Sequence, residues 1–176
     1  MSASPAEPVR LRPGVPADSL ALESVRKASW QDAYGHLLPA SFLAQWRVET
    51  TAEGRRSRFG ASDWIVAEDD AGEPVGFVAF GAARDEELPA TTGEIWSLYV
   101  RPAVFSQGFG RALMGAALET LTSTGHTEAV LWVLVDNPRG RSFYAKAGFE
   151  PDGAERPIEI GGQRLDELRL RRELGY

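Results

Sequence analysis

The stretch Ala129-Val130-Leu131-Trp132-Val133-Leu134-Val135 constrains the fold more than any other, because it is apolar from end to end. A strand wetted on one side alternates apolar and polar residues. An uninterrupted run fits a strand covered on both faces, the habit of parallel sheets. What precedes it agrees. Residues 94–100 read as a strand ended by Pro102. Residues 108–124 read as a helix, with Leu113, Ala117 and Leu121 recurring once per turn before Gly125 stops it. Strand, helix and parallel strand make a βαβ unit with a right-handed crossover.

The periodicity predicts further elements around this unit. Val9-Arg10-Leu11-Arg12 alternates as a short strand ended by Pro13-Gly14. Residues 16–34 read as a helix, with Pro16 in its first turn, Asp18 near its positive end, and Leu22, Val25 and Ser29 on one face. A rougher helical region covers 39–59 and holds Phe42, Leu43 and Trp46. Residues 64–68 and 75–80 flank the turn cluster Asp69-Asp70-Ala71-Gly72 as a hairpin, and residues 82–92 read as a polar loop. Residues 138–147 form a short helix stopped by Gly148, and a last hairpin turns at Gly161-Gly162 into a strand over 165–174. The expected class is α+β, a central mixed sheet with helices on both faces. At about 150 residues per domain, the 176 residues predict one domain over 9–176. A small polar tail, residues 1–8, reads as frayed.

Composition excludes several chemistries. The chain has no cysteine, which removes disulfides, thiolate catalysis, iron–sulfur clusters and Cys-type zinc sites. With two histidines a multi-His centre is not expected, and no metal is assigned. A net charge of −6 and a pI of about 5.0 argue against a grip on nucleic acid. No segment approaches the roughly 18 apolar residues of a membrane span. Residues 1–8 lack the basic start and apolar run of a secretory signal. A cytoplasmic protein without membrane or nucleic-acid partners is expected.

The stretch Gln107-Gly108-Phe109-Gly110-Arg111-Ala112 lies between a strand and a helix. Glycines there let the backbone approach a ligand, and the first helical amides point outward with the positive end of the dipole behind them. Arg111, with Arg101, would add charge against a phosphate. Two glycines alone serve equally as punctuation. The dinucleotide fingerprint fails, because the next glycine is Gly115 and no acidic partner follows at the required distance. The nucleotide-triphosphate loop fails for want of Gly-Lys-Ser/Thr.

A third pattern fits in full. Leu98-Tyr99-Val100-Arg101-Pro102, followed by Gln107-x-x-Gly110-x-Ala112 and Leu113, resembles the acyl-coenzyme A-binding signature of the GNAT N-acetyltransferase superfamily. That signature is Gln/Arg-x-x-Gly-x-Gly/Ala after a strand. Asn137-Pro138-Arg139-Gly140-Arg141-Ser142-Phe143-Tyr144-Ala145-Lys146-Ala147-Gly148-Phe149 is similar to the family's Asn-x-x-Ala-x-x-Phe-Tyr-x-x-x-Gly-Phe. Gly140 replaces the usual alanine, at a cost in helix propensity of about 1 kcal/mol. The resemblance spans Val9 to the last strand and is strongest over 94–149.

The resemblance implies a GNAT-like fold, with a mostly antiparallel sheet whose parallel strand pair splays apart. The pantetheine arm of acetyl-CoA enters between Leu98–Val100 and Leu131–Val135. It implies cofactor contacts from the backbone of Leu98 and Val100, from Gln107, Gly108, Phe109, Gly110, Arg111 and Ala112, and from Asn137 and Tyr144. The Val100 amide would polarise the thioester carbonyl. Tyr144 matches the usual general acid, a phenol able to protonate the leaving thiolate; packing beside Phe143 is the alternative. Glu94 matches a general base acting through water, or else is a solvated carboxylate at a strand end. Asn137 is either a cofactor contact or the N-cap that Asn-Pro before a helix signals.

On the acceptor side, Trp30, Asp32 and Tyr34, with His36 and Leu37-Leu38-Pro39, resemble the aromatic-rich stretch of one bacterial branch of the family. The aromatics would receive a cation and Asp32 would pair with it. Packing of Trp30 and Tyr34 along the helix is the alternative. His36 reads as a surface or packing residue and His126 as solvated. Asp85-Glu86-Glu87 reads as an exposed loop. Arg169, Arg171 and Arg172 read as the polar face and edge of a strand. The expected function is acetyl transfer from acetyl-CoA to a primary amine of a small molecule or peptide, in a ternary complex. A non-catalytic acyl-CoA-binding sensor and a nucleotide-binding protein are the rivals. Dimers being common in the family, a homodimer is compatible with it.

Overall fold

Alternating and apolar runs become seven strands of one sheet. A computed structural model describes residues 9–45 and 63–175. The tail expected over 1–8 and the helical stretch expected over 46–59, with Trp46, lie outside the described residues. In chain order the elements are β1 (Arg10–Pro13), α1 (Ser19–Tyr34, preceded by a 3-10 turn Pro16–Asp18), α2 (Ala40–Ala44), β2 (Asp63–Glu68), β3 (Pro74–Ala82) and β4 (Thr92–Val100). A 3-10 turn Pro102–Val104 leads to α3 (Phe109–Ser123), β5 (Glu128–Leu134), α4 (Pro138–Lys146), β6 (Glu150–Ile160) and β7 (Gln163–Glu173). The strand order is β1-β2-β3-β4-β5-β7-β6. Every neighbouring pair is antiparallel except β4 and β5. The class is α+β, as the periodicity predicts.

Strand alternation divides the core. Val66 and Phe77 meet Leu22 and Val25 of α1 on one face. Ala67, Val78 and Phe80 meet Leu113, Met114, Ala117, Leu118 and Leu121 of α3 on the other. Burying a side chain of this size contributes about 1.5–3 kcal/mol, so these stripes hold both helices down. Gly93 lets α3 sit close: a Cβ there would lie 2.7 Å from Leu121 Cδ2.

Two features open the sheet. Ile95 pairs with Phe80 and Ser97 with Ala79, which leaves Trp96 as the extra residue of a β-bulge. The parallel pairing of β4 with β5 covers Thr92–Glu128, Gly93–Ala129 and Glu94–Val130, then stops two residues before that bulge. Beyond it β5 pairs only with β7, while β4 pairs only with β3.

One expectation needs correcting. β7 lies between β5 and β6, so Arg169, Arg171 and Arg172 are not on an edge. Arg169 and Arg171 share Asp152, at 2.7 and 3.2 Å, and Arg169 reaches Asp85 at 3.0 Å. Trp132 Nε1 also donates to Asp85, at 3.2 Å, which ties the 82–92 loop to the sheet. Arg172 donates to the carbonyl of Ala147 at 2.6 Å, closing the end of α4.

Candidate active site

Where β4 and β5 part, a cleft of about 1370 Å³ runs through the sheet. It is walled by α1, both strands, the start of α3, and α4. At one end the backbone turns sharply: Ser106 has φ 66° and Gly108 φ 92°. Left-handed residues next to a helix start aim successive amides into a concavity, a geometry that suits anions. The amides of Phe105, Gln107 and Ala112 are engaged, at 3.1, 3.4 and 3.0 Å, by Pro102, Val104 and Gly108. Those of Ser106, Gly108, Phe109, Gly110 and Arg111 donate to no acceptor among the described residues. Gln107, Gly108, Phe109, Gly110 and Arg111 line the cleft; Ala112 does not.

Along the cleft floor, β4 turns unused backbone outward. Arg101 N donates to Val75 O at 2.7 Å, and Val100 lies opposite Gly76. Antiparallel alternation then points the backbone groups of Val100 and Leu98 away from β3, toward the space that β5 has left. Ser29 Oγ takes the Val100 carbonyl at 2.8 Å, which leaves the Val100 N–H facing the cleft.

Asn137 does what Asn-Pro predicts and more. Its Oδ1 caps α4 by accepting from Gly140 N at 2.9 Å, and its Nδ2 donates to Tyr34 Oη at 2.8 Å. Gly140 now has a reason: a Cβ there would stand 2.6 Å from Asn137 Nδ2. Tyr144 lines the cleft, edge-on to Phe143 at 5.4 Å and to Phe149 at 6.3 Å. Its hydroxyl has no hydrogen-bond partner among the described residues. Burial, reinforced by Tyr99 and Tyr34, pushes this phenol above its ordinary range, so it stays protonated at neutral pH.

The other expected residues separate. Trp30 and Tyr34 line the cleft and meet edge-on at 5.0 Å; Trp30 Nε1 donates to Tyr99 Oη at 3.0 Å. Burial, then Tyr99 and Glu167, raise the Tyr34 phenol against the pull of Asn137. Asp32 is at the rim, ion-paired with Arg139, whose guanidinium sits 4.9 Å over the Phe105 ring. Asp32 does not line the cleft. Glu94 is buried, and accepts from Arg84 N at 2.8 Å and from the Arg84 guanidinium at 2.5 and 3.2 Å. It too is absent from the lining, although its neighbour Trp96 is there. Trp132 falls in the Leu131–Val135 segment expected to flank the arm, whereas sequence reasoning missed Ser29, Trp96 and Glu167, all on the cleft wall. Only the strand order could have found Glu167.

Comparison with known proteins agrees with this architecture. The model of the Acetyltransferase (GNAT) family matches residues 22–149. An uncharacterized N-acetyltransferase of Bacillus subtilis, YuaI, is 30% identical over 150 residues, 85% of this chain and 84% of that protein. A mycothiol acetyltransferase of Beutenbergia cavernae is 37% identical over 89 residues, 50% of this chain but 28% of that longer protein. Among solved structures, yncA of Salmonella typhimurium with its cofactor acetyl-CoA has the same fold, with a TM-score of 0.72 at 20% identity over 97% of this chain and 96% of that one. Family model, relative of similar length and fold together establish that this chain belongs to the GNAT family of acetyltransferases.

Proposed function

We propose that this chain transfers the acetyl group of acetyl-CoA to a primary amine by direct attack within a ternary complex. One observation carries the reading: five unpartnered amides close one end of a slit whose floor is unpaired strand backbone. A pyrophosphate suits the first and an amide-bearing arm suits the second, so the residues present fit acetyl-CoA. Acetyl-CoA supplies an activated thioester; the chain supplies position and protons. Gln107, Gly108, Phe109, Gly110, Arg111 and Ala112 form the phosphate end, with Ala112 acting through the helix turn it closes. Leu98 and Val100 hold the arm by their backbone, flanked by Asn137.

The Val100 N–H polarises the carbonyl as an oxyanion-type donor. Tyr144, kept protonated by its surroundings, gives its proton to the sulfur as the C–S bond breaks. The amine must shed one proton to attack. Arg84 occupies both oxygens of the Glu94 carboxylate, so a base role through water requires that pair to open. Arg84 is 57% exposed, which leaves it room to do so. Trp30 and Tyr34 flank the acceptor, and Asp32 serves at the rim. Reaction in the cytoplasm belongs to the same reading.

Calorimetry against coenzyme A, ATP and NAD, with thiol release measured over an amine panel, tests it. The expected result is binding of coenzyme A alone and thiol release with at least one amine. Preference for ATP or NAD overturns the coenzyme assignment. Tight coenzyme A binding with background thiol release across the panel makes the chain a binding module.

A further inference from the structure

The cleft is electrically lopsided. Its cations, Arg111, Arg139 and Lys146, all stand on α3 and α4, and of these Arg111 belongs to the loop end proposed for phosphate. Among the described lining residues a single carboxylate is present, Glu167 of β7. Glu167 lies opposite Leu134 on β5 and opposite Arg156 on β6, on the sheet face that also carries Trp132. Its side chain is 13% exposed, and Oε2 accepts from Arg156 Nε at 2.9 Å. Oε1 accepts no hydrogen bond from the described residues. Arg156 does not line the cleft: it is drawn back, 3.9 Å over the Trp132 ring. Glu167 is near enough to Tyr34 and Tyr99 that its charge adds to the burial of both phenols. The cleft that Glu167 lines also presents the apolar or aromatic side chains of Trp30, Tyr34, Trp96, Trp132, Ile158 and Ile160.

We propose that Glu167 receives the acceptor as an ammonium through its free oxygen, that the same nitrogen passes one proton to solvent before it attacks, and that the acceptor is a monoamine with an aromatic or apolar body and no carboxylate beside the amine. The inference rests on the acetyltransferase reading and names its substrate class. An ammonium among aromatic rings gains from their faces, and a carboxylate in a poorly hydrated site holds it firmly. An α-amino acid would bring a second carboxylate against Glu167, where the one cation in contact, Arg156, is already engaged by Glu167 and lies outside the lining. A polyamine would bring a further ammonium with no second acid to meet it. Asp32 is unsuited to the task, because Arg139 occupies it outside the lining.

The test measures binding as well as turnover, so that the two readings fail separately. With coenzyme A present, phenethylamine, phenylalanine and spermidine are titrated by calorimetry into the wild type, Glu167→Gln and Arg156→Met. The wild type is expected to bind phenethylamine at least tenfold more tightly than either competitor. Glu167→Gln is expected to weaken phenethylamine at least tenfold, with coenzyme A affinity unchanged as the control for folding. Arg156→Met removes the cation that shares Glu167 and should tighten phenethylamine. Phenylalanine or spermidine binding as well as phenethylamine, no phenethylamine binding at all, or Glu167→Gln binding it like the wild type each overturns the inference. Phenethylamine bound through Glu167 without thiol release leaves the inference standing and overturns the transferase reading instead.

Discussion

Asn137 Nδ2 donates to Tyr34 Oη at 2.8 Å, joining residues 103 positions apart in the chain. This bond ties the end of α1 to the start of α4, and so the acceptor wall to the coenzyme wall. The same carboxamide caps α4 through Gly140 N, so one short side chain fixes a helix start and an interhelical distance together.

Tyr34→Phe removes the acceptor of that bond and should cost about 1 kcal/mol. Asn137→Ala loses bond and cap and should cost about 2 kcal/mol. In urea denaturation the double variant should cost less than the sum, because both changes remove one shared contact.

Gly140→Ala should change sign with its background. Alone, its methyl displaces the Asn137 carboxamide, and a helix-propensity gain of about 1 kcal/mol is offset by the broken cap. With Asn137 already alanine the obstacle is gone, and the same change should raise the melting temperature. Stabilisation in both backgrounds would contradict the 2.6 Å approach.

Tyr144→Phe should lower kcat by about 100-fold or more, the usual span for a lost general acid, with coenzyme A affinity near normal. Because burial raises this phenol, the wild-type kcat should show no alkaline limb from Tyr144 below about pH 10. Steady-state thiol release across pH checks both points.

Gly108 and Gly110 should separate folding from binding. Nothing lies within 4 Å of a Cβ at Gly108, but its φ of 92° makes any side chain costly, by about 1–2 kcal/mol. A Cβ at Gly110 would make ordinary contact with Phe143 at 3.4 Å. Gly108→Ala should therefore lower the melting temperature, while Gly110→Ala should leave it nearly unchanged and weaken coenzyme A binding.

Acid should loosen the junction of β1 and α1. Burial alone would raise the Asp18 carboxyl, but two bonds from Arg12, at 2.7 and 2.8 Å, and one from Val15 N at 2.9 Å hold it below its ordinary value. A depressed carboxyl contributes stability that is present above its unfolded pKa, about 3.9, and is lost as pH falls through the folded value. Melting temperature should drop below about pH 4, and Asp18→Asn should flatten that drop.

The strands, the crossover and the glycine loop were legible because each leaves a periodic or compositional mark over several residues. The bulge at Trp96 leaves none: Glu94 to Val100 reads as one continuous strand, and a single extra residue changes no pattern. Glu94 looked free because its partner, Arg84, sits in a loop ten residues earlier. Asp85 looked solvated because Trp132 and Arg169 come from strands far along the chain. Glu167 was hidden for a topological reason. Glu167 and Arg169 alternate with Leu168 and Leu170 as a wet face would, and only the placement of β7 beside β5 turns that face toward the cleft.

The three residue pairs that bind β4 to β5 are the whole of the sheet's continuity between its two panels, β1 to β4 and β5 to β7. The two panels of the sheet are joined along a short seam, stitched at one end and unlaced at the other. An occupant laced onto both edges would finish the stitching. The place where the sheet is joined by the fewest residue pairs is then also the place proposed for the coenzyme arm.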